Sequence, residues 1–369
     1  MSHVFLFLEI FSREGGIQSY VQDVLQAYQA LPESKDAEVF LLRDGNDCRN
    51  PLEGKGITFH YLKSRSTRFG RVKLALSLLN CLLKRRPTRI FCGHINLAPL
   101  TRLLCAPFGV PYTVLTYGKE VWNPLPATKK QALKAADGIW TISRYSRDLL
   151  CAANGIDRER VAILPCVVDG DRFTPAPRNL TLVQKYGIDN ARVLLTVARL
   201  WSGDIYKGVD VTIRALPQIL ETHPDVKYLV IGRGDDRPRL EALTREMGVS
   251  DRVIFAGFVP TEELVEHYRL ADAYVMPSRE GFGIVYLEAM ACGVPVVSGD
   301  EDGSADPLQD GLVGWRVPYR DPGAVAIAVS EILRGNDRRC RGEWLRERTL
   351  EKFGKKALEE RLQESISRS

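Results

Sequence analysis

Residues 280–288 read EGFGIVYLE and run straight into AMACGVPVV at 289–297. Gly281 and Gly283 precede a helix-prone stretch, and Glu280 and Glu288 stand on either side of its start. Glycine tolerates the positive φ of a tight turn and lets backbone come close to a ligand. A helix beginning near Ile284 aims its unpaired N–H groups and positive dipole end at whatever lies before it, which favours a phosphate. Glu288 falls four residues into that helix, on the face of Ile284. Carboxylates aimed at a phosphate would repel it, so these two suit hydroxyl groups flanking the phosphates, from which they accept hydrogen bonds. Hydroxyls on both sides of a diphosphate describe a nucleotide sugar. The competing reading of the two glutamates is a solvated helix face.

The preceding segments place this turn in a fold. Val193 to Val197 is an apolar, β-branched run ending in Ala198 and Arg199. Lys207 and Gly208 open a helix whose apolar positions Val209, Ile213, Ala215, Leu216 and Ile219 recur at helical spacing. Arg199 is thus expected at the carboxyl end of a strand and Lys207 at the amino end of the next helix, where open α/β sheets bind ligands. A second strand, Val226 to Ile231, ends in Gly232-Arg233-Gly234 with the same layout. Ordinary surface charge is the alternative for the two cations. Their joint placement with the EGFG turn on one sheet edge favours a site.

The strings VARL (197–200), YKGVD (206–210), VIGRGD (230–235), VIFAGFV (253–259) and MPSREGFGIVYLEAMACGVPVV (276–297) occur in this order. Across most of residues 190–330 the chain resembles the family 4 retaining glycosyltransferases, the glycosyl transferases group 1. The resemblance implies an α/β chain of the GT-B fold, two Rossmann-like doubly wound domains facing across a cleft. It implies that Glu280 holds hydroxyls of the donor sugar and Glu288 the ribose. Arg199 and Lys207 would neutralise the diphosphate and the charge that develops as the sugar–phosphate bond breaks. The amides of Phe282, Gly283 and Ile284 would add donors, and backbone near Gly232, Arg233, Phe258 and Val259 would meet the base. It implies no metal and no cofactor beyond the nucleotide-sugar substrate. Asp169 and Asp171, Asp235 and Asp236, and Asp300 to Asp302 read as turn residues.

In the amino-terminal half, Val4 to Ile10 reads as a strand, Gly15 and Gly16 as a loop, and Ile17, Tyr20, Val21, Val24, Leu25 and Tyr28 as a helical stripe. The resemblance makes Gly15 and Gly16 part of the loop that packs on the donor phosphates. Strands are expected at Arg89 to Cys92, leading into His94, and at Tyr112 to Leu115, leading into Tyr117, Gly118, Lys119 and Glu120. These residues are the expected acceptor side. Relatives often carry histidines where Tyr117 and Lys119 stand, so the general base stays open: His94 is one candidate and the donor phosphate another. A lone histidine is also commonly a structural residue.

A chain of 369 residues with 45% apolar content suits two domains. The expected division is 1–168, with the tail 350–369 crossing back, and 169–349, since turn residues and prolines gather at 165–175. Eight cysteines without a Cys-x-x-Cys pair point to reduced thiols, hence a cytoplasmic protein. No apolar run reaches the roughly 20 residues needed to span a membrane. Residues 1–180 carry 25 Lys plus Arg against 16 Asp plus Glu, and the interval from Lys55 to Lys134 holds 15 basic residues. Within it, Phe69 to Arg86 reads as an amphipathic helix with basic ends. Two readings are open: a helix lying on the inner face of an anionic membrane, or a core-facing helix with solvated cations. No nucleic-acid-binding signature accompanies the charge. The reading is transfer of a hexose from a GDP-mannose or UDP-hexose type donor to a glycan or lipid-linked acceptor. The alternatives are a non-catalytic nucleotide-sugar binder or another GT-B chemistry such as an epimerase.

Overall fold

The computed structural model describes residues 2–31, 37–54 and 56–368; Lys55, the first of the cations counted above, lies outside them. The chain divides into two compact units, Met1–Val167 with Lys355–Ser369, and Val168–Gly354.

The first unit holds strands β1 (His3–Phe7), β2 (Ala37–Leu41), β3 (Ile57–Tyr61), β4 (Arg89–Cys92), β5 (Tyr112–Leu115), β6 (Gly138–Thr141) and β7 (Val161–Ile163), all parallel, in the order β3-β2-β1-β4-β5-β6-β7. Its helices are α1 (Gly16–Ala30), α2 (Thr67–Arg85), α3 (Ala98–Cys105), α4 (Ala127–Lys134) and α5 (Arg144–Asn154). The second unit holds α6 (Leu180–Tyr186), β8 (Arg192–Val197), α7 (Val209–Thr222), β9 (Val226–Ile231), α8 (Arg237–Glu246), β10 (Val253–Gly257), α9 (Leu264–Tyr268), β11 (Ala273–Met276), α10 (Ile284–Ala291), β12 (Val296–Gly299), β13 (Trp315–Val317), α11 (Pro322–Arg334) and α12 (Gly342–Phe353). Its six parallel strands run β10-β9-β8-β11-β12-β13. The last helix, α13 (Lys355–Arg368), packs on α1 of the first unit, whereas α12 stays with α10 in the second.

Both sheets therefore reverse direction once, between β1 and β4 and between β8 and β11. Strands covered on two faces read as continuous apolar runs, and VLLTV in β8 and YLVI in β9 are of that kind. Leu194, Tyr228, Val230, Val275 and Val297 are sealed from solvent beneath Ile213 and Leu216 of α7 and Val325 and Val329 of α11. At roughly 1.5–3 kcal/mol per fully buried large apolar side chain, this layer holds the sheet whose edge carries the site.

Two local expectations shift. The first strand ends at Phe7 rather than Ile10, because the buried Asp44 carboxylate takes the amides of Ile10 (2.7 Å), Phe11 (3.1 Å) and Ser12 (3.0 Å) and bends the chain away. Gly16 is the first residue of α1 and Gly15 its N-cap, so the loop occupies 8–15. In α2, Leu74, Leu78, Cys81 and Leu82 face the core. Phe69, Val72, Leu76 and Leu83 form a second apolar stripe that stays exposed. The helix is core-facing on one side and apolar on another.

Candidate active site

The reversal in the second sheet puts the loop after β8 beside the loop after β11, and these loops carry the motif residues. Lys207 and Glu280 form an ion pair although 73 residues separate them, and each side chain is less than one-fifth exposed. The pairing depends on a close backbone approach. Gly208 has φ +75, and a Cβ there would sit 2.5 Å from the Pro277 carbonyl oxygen. The Arg279 amide then donates to the Tyr206 carbonyl (3.1 Å). Arg199 is more open: its guanidinium pairs with Asp204 (3.0 Å) and lies 4.8 Å from the Trp201 ring centre.

Past Glu280 the chain turns at Gly283, φ +92, and enters α10. Gly283 is the N-cap and offers no side chain to the first-turn N–H groups, so that end keeps its capacity to meet an anion. Phe282 turns its ring inward against Phe353. Glu288 lies one turn further on, where its carboxylate accepts a hydrogen bond from the Tyr268 hydroxyl (2.6 Å). Burial pushes it up to about 7, against the opposing effects of Tyr268 and Arg172. The two glutamates thus occupy different settings, one ion-paired with a lysine and one held by a phenol.

The loop after β9 closes on the loop after β8. A Cβ on Gly232, φ +142, would lie 1.8 Å from the Ala198 carbonyl oxygen, and the Leu200 amide donates to the Arg233 carbonyl (3.0 Å). Arg233 stacks its guanidinium over Phe258, 4.6 Å from the ring centre, and that ring is half exposed; Val259 beside it is buried.

Asp302, expected to be a turn residue, does cap a short turn, but it also holds the backbone of Glu280. Its carboxylate accepts the amide of Glu280 (2.5 Å), the amide of Ser304 (2.9 Å) and the Ser304 hydroxyl. The Gly303 amide donates back to the Glu280 carbonyl (2.8 Å), and a Cβ on Gly303 would meet the Gly281 oxygen at 2.0 Å. Asp302 is 4% exposed, and burial is the main force pushing it up to about 6. Its position just past β12, the strand beside β11, was the available signal. Asp235 is a turn clamp, accepting the Ser202 amide and hydroxyl, both at 2.9 Å. Among the described residues no three His, Cys, Asp or Glu side chains gather as metal ligands.

In the first unit, the matching reversal brings the loop after β1 beside the loop after β4. His94 Nδ1 accepts the Asn96 amide (3.0 Å), so the neutral ring carries its proton on Nε2. Burial, with Lys129 and Arg43, lowers His94 to about 4, which keeps it neutral at pH 7. Tyr117 is buried and donates to the Gly93 carbonyl (2.6 Å), which makes it part of the frame. Glu120 turns back on its own loop, accepting the amides of Tyr117 (2.5 Å) and Gly118 (3.3 Å), with burial raising its pKa. Gly118 has φ +143, and Lys119 is exposed. Gly15 and Gly16 are exposed at the start of α1.

Residues 191–335 match the family model described as glycosyl transferases group 1, and residues 15–166 match the glycosyl transferase 4-like domain. A GDP-mannose-dependent alpha-(1-6)-phosphatidylinositol monomannoside mannosyltransferase of Mycolicibacterium smegmatis is 36% identical over 231 residues, 59% of this chain and 59% of that protein. Its Mycobacterium tuberculosis counterpart is 33% identical over 265 residues, 68% of this chain and 66% of that protein. The match therefore spans less than two thirds of these relatives' own length. A crystal structure of Anabaena Alr3699/HepE in complex with UDP superimposes with a TM-score of 0.81 at 19% identity, covering 100% of both chains. A Rickettsia africae glycosyltransferase gives 0.80 at 16% identity, covering 99% and 97%. Such identities speak for the fold alone, and the tandem family matches, one in each unit, decide the rest: the chain belongs to the glycosyl transferases group 1, with the GT-B fold.

Proposed function

We propose that this protein transfers a hexose, with retention, from a nucleoside-diphosphate sugar to a hydroxyl of a glycolipid acceptor, and that the donor is GDP-mannose. The observation that carries the reading is the Lys207–Glu280 pair beside the uncapped end of α10. The relatives named above, GDP-mannose-dependent enzymes acting on a phosphatidylinositol mannoside, favour this donor over a UDP-hexose.

The diphosphate would sit before α10, with Arg199 and Lys207 over its oxygens. An ammonium has three N–H donors, so Lys207 can keep Glu280 and still reach a phosphate. Glu280 would accept hydrogen bonds from sugar hydroxyls, and Glu288 from the ribose. The acceptor oxygen attacks the sugar C1 as the C1–O bond to phosphate breaks. The bonding pair leaves with the diphosphate, whose oxygen takes the acceptor proton. Stabilising that departing charge is the task of the two cations and the helix end. His94, neutral with its proton on Nε2, would donate to the acceptor or the sugar.

The exposed stripe Phe69, Leu76 and Leu83 on α2, flanked by Arg68, Lys73, Lys84 and Arg86, supports peripheral attachment to the inner face of an anionic membrane. No helix among the described residues is long and apolar enough to cross one.

A thermal-shift titration with GDP, UDP, ADP and their hexose conjugates tests the donor, and radiolabelled transfer to phosphatidylinositol mannosides tests the reaction. At 100 times Kd a ligand adds about 2.7 kcal/mol. For units of this size that is a rise of roughly 5–10 °C. Stabilisation by GDP with transfer to lipid is expected. Nucleotide binding without turnover would replace the reading with that of a non-catalytic binder.

A further inference from the structure

Arg199 and Lys207 stand at the two ends of one loop, and the interior of that loop is tied to both. Residues 202–207 form a tight turn after β8 in which Asp204 leaves helical geometry, at φ −111 and ψ 23. Its amide donates to the Trp201 carbonyl (2.8 Å), and its side chain is turned inward, leaving the residue 9% exposed. A carboxylate in that setting needs partners. Arg199 meets Oδ2 at 3.0 Å, yet among the described residues that oxygen has no aligned hydrogen-bond donor. Charge and the Trp201 ring hold the guanidinium, and its N–H groups keep their capacity for a second anion. The hydrogen bond that Asp204 does receive comes from the Tyr206 hydroxyl. Burial above all, then the charges of Glu280 and Asp204, raise that hydroxyl's pKa, so it keeps its proton and donates.

The same tyrosine reaches the second cation. Lys207 Nζ lies 5.4 Å from the centre of its ring. Its carbonyl accepts the Arg279 amide (3.1 Å), one residue before Glu280, the partner of Lys207. A buried negative charge beside two phosphate-binding cations weakens their pull on a diphosphate, so charge alone would place no acid here; geometry gives it a reason. We propose that Asp204 and Tyr206 are positioning residues, a carboxylate–phenol couple that fixes the spacing of Arg199 and Lys207 so that both meet the departing diphosphate. This rests on the diphosphate reading above and adds what aims the two cations. Charges fixed in advance act most on the transition state, where nothing has to be reorganised as the bond breaks. Cations that were loosely held would still bind a nucleoside diphosphate and would catalyse its departure poorly.

The test separates aim from charge, because the two predict opposite signs. Asp204→Asn keeps the shape and removes the charge; Tyr206→Phe keeps the ring beneath Lys207 and removes only the hydroxyl. Transfer from GDP-mannose to phosphatidylinositol mannosides gives kcat, calorimetry on the full chain gives the GDP affinity, and thermal unfolding reports the fold. Each variant should lower kcat by about 10–100-fold, the scale of a small misplacement. GDP affinity should stay close to wild type in Tyr206→Phe and equal or exceed it in Asp204→Asn, where a negative charge near the phosphates is gone. Wild-type kcat in both variants would overturn the proposal. So would parallel losses of kcat, GDP affinity and melting temperature, the mark of residues that only support the loop. If Asp204→Asn melts early, Tyr206→Phe carries the test. A wild-type chain that binds none of GDP, UDP and ADP would instead remove the diphosphate reading, and this proposal with it, a result that the variants cannot mimic.

Discussion

The two sheets share one order over six strands, the first adding a seventh, and each has a single reversal, yet the loops at the two reversals are built for different work. In the second unit, the loops after β8 and β11 bring together a lysine, a glutamate and an uncapped helix end, with the glutamate's backbone clamped from behind by Asp302. In the first, the loop after β1 has three amides held by the buried Asp44 carboxylate, which comes from the loop after β2, and the loop after β4 carries a histidine kept neutral. Topology opens a crevice in both. Only the residues at the loop ends make one a charge-handling site and the other a frame that carries a neutral histidine.

The sharpest way to break that contrast is to remove the charges of the second unit. Glu280→Ala and Lys207→Ala should each lower kcat/KM by about 10³, the scale of losing a preorganised electrostatic contact, while chemical denaturation shows an intact fold. Wild-type turnover in both would dismiss the site.

Asp302→Asn should cost less, about 10–100-fold in kcat, because Glu280 would lose a charged anchor for its amide rather than its own carboxylate. The Glu280 and Ser304 amides meet different carboxylate oxygens, and asparagine keeps only one acceptor oxygen, its NH₂ being a donor. The pH profile separates this from simple disruption. Protonation would turn one of the two accepting oxygens into a donor, so the wild-type rate should fall as pH drops through about 6. If Asp302→Asn keeps that acid limb, the limb belongs to another group.

His94→Ala is expected to reduce kcat by about tenfold or less, the effect of one neutral hydrogen bond. A group at about 4 cannot produce an acid limb near pH 6, so the limb should survive this substitution. A loss of 10³ would instead make the two reversals equal partners in the chemistry.

The smallest expected effect concerns stability. Glu288 holds its proton in the folded state up to about 7, whereas an unfolded glutamate releases it near 4.3. The folded state therefore binds more protons between those values, and stability declines as pH rises from about 4 to 7. Glu288→Gln should flatten that decline and raise Tm at pH 8 by a few degrees. It should also raise the donor KM if the ribose contact is right. A steeper decline in the variant would refute the burial argument.

The sequence by itself determined a good deal. The strand–glycine–helix units and the placement of Arg199, Lys207 and Glu280 at loop ends follow from local rules: apolar period, the conformational freedom of glycine, and the anion preference of a helix start; the doubly wound class followed from the family resemblance of the motifs. These signals operate over a few residues, which is why a chain read in one direction displays them. Tertiary structure decided the rest. The ion pair of Lys207 with Glu280, the hold of Asp302 on the Glu280 amide and the stacking of Arg233 on Phe258 join residues that lie far apart in the chain, through a strand order that no local periodicity encodes. Protonation was equally out of reach. His94 and Glu288 have ordinary side chains, and it is desolvation in the folded interior that moves one down to about 4 and the other up to about 7.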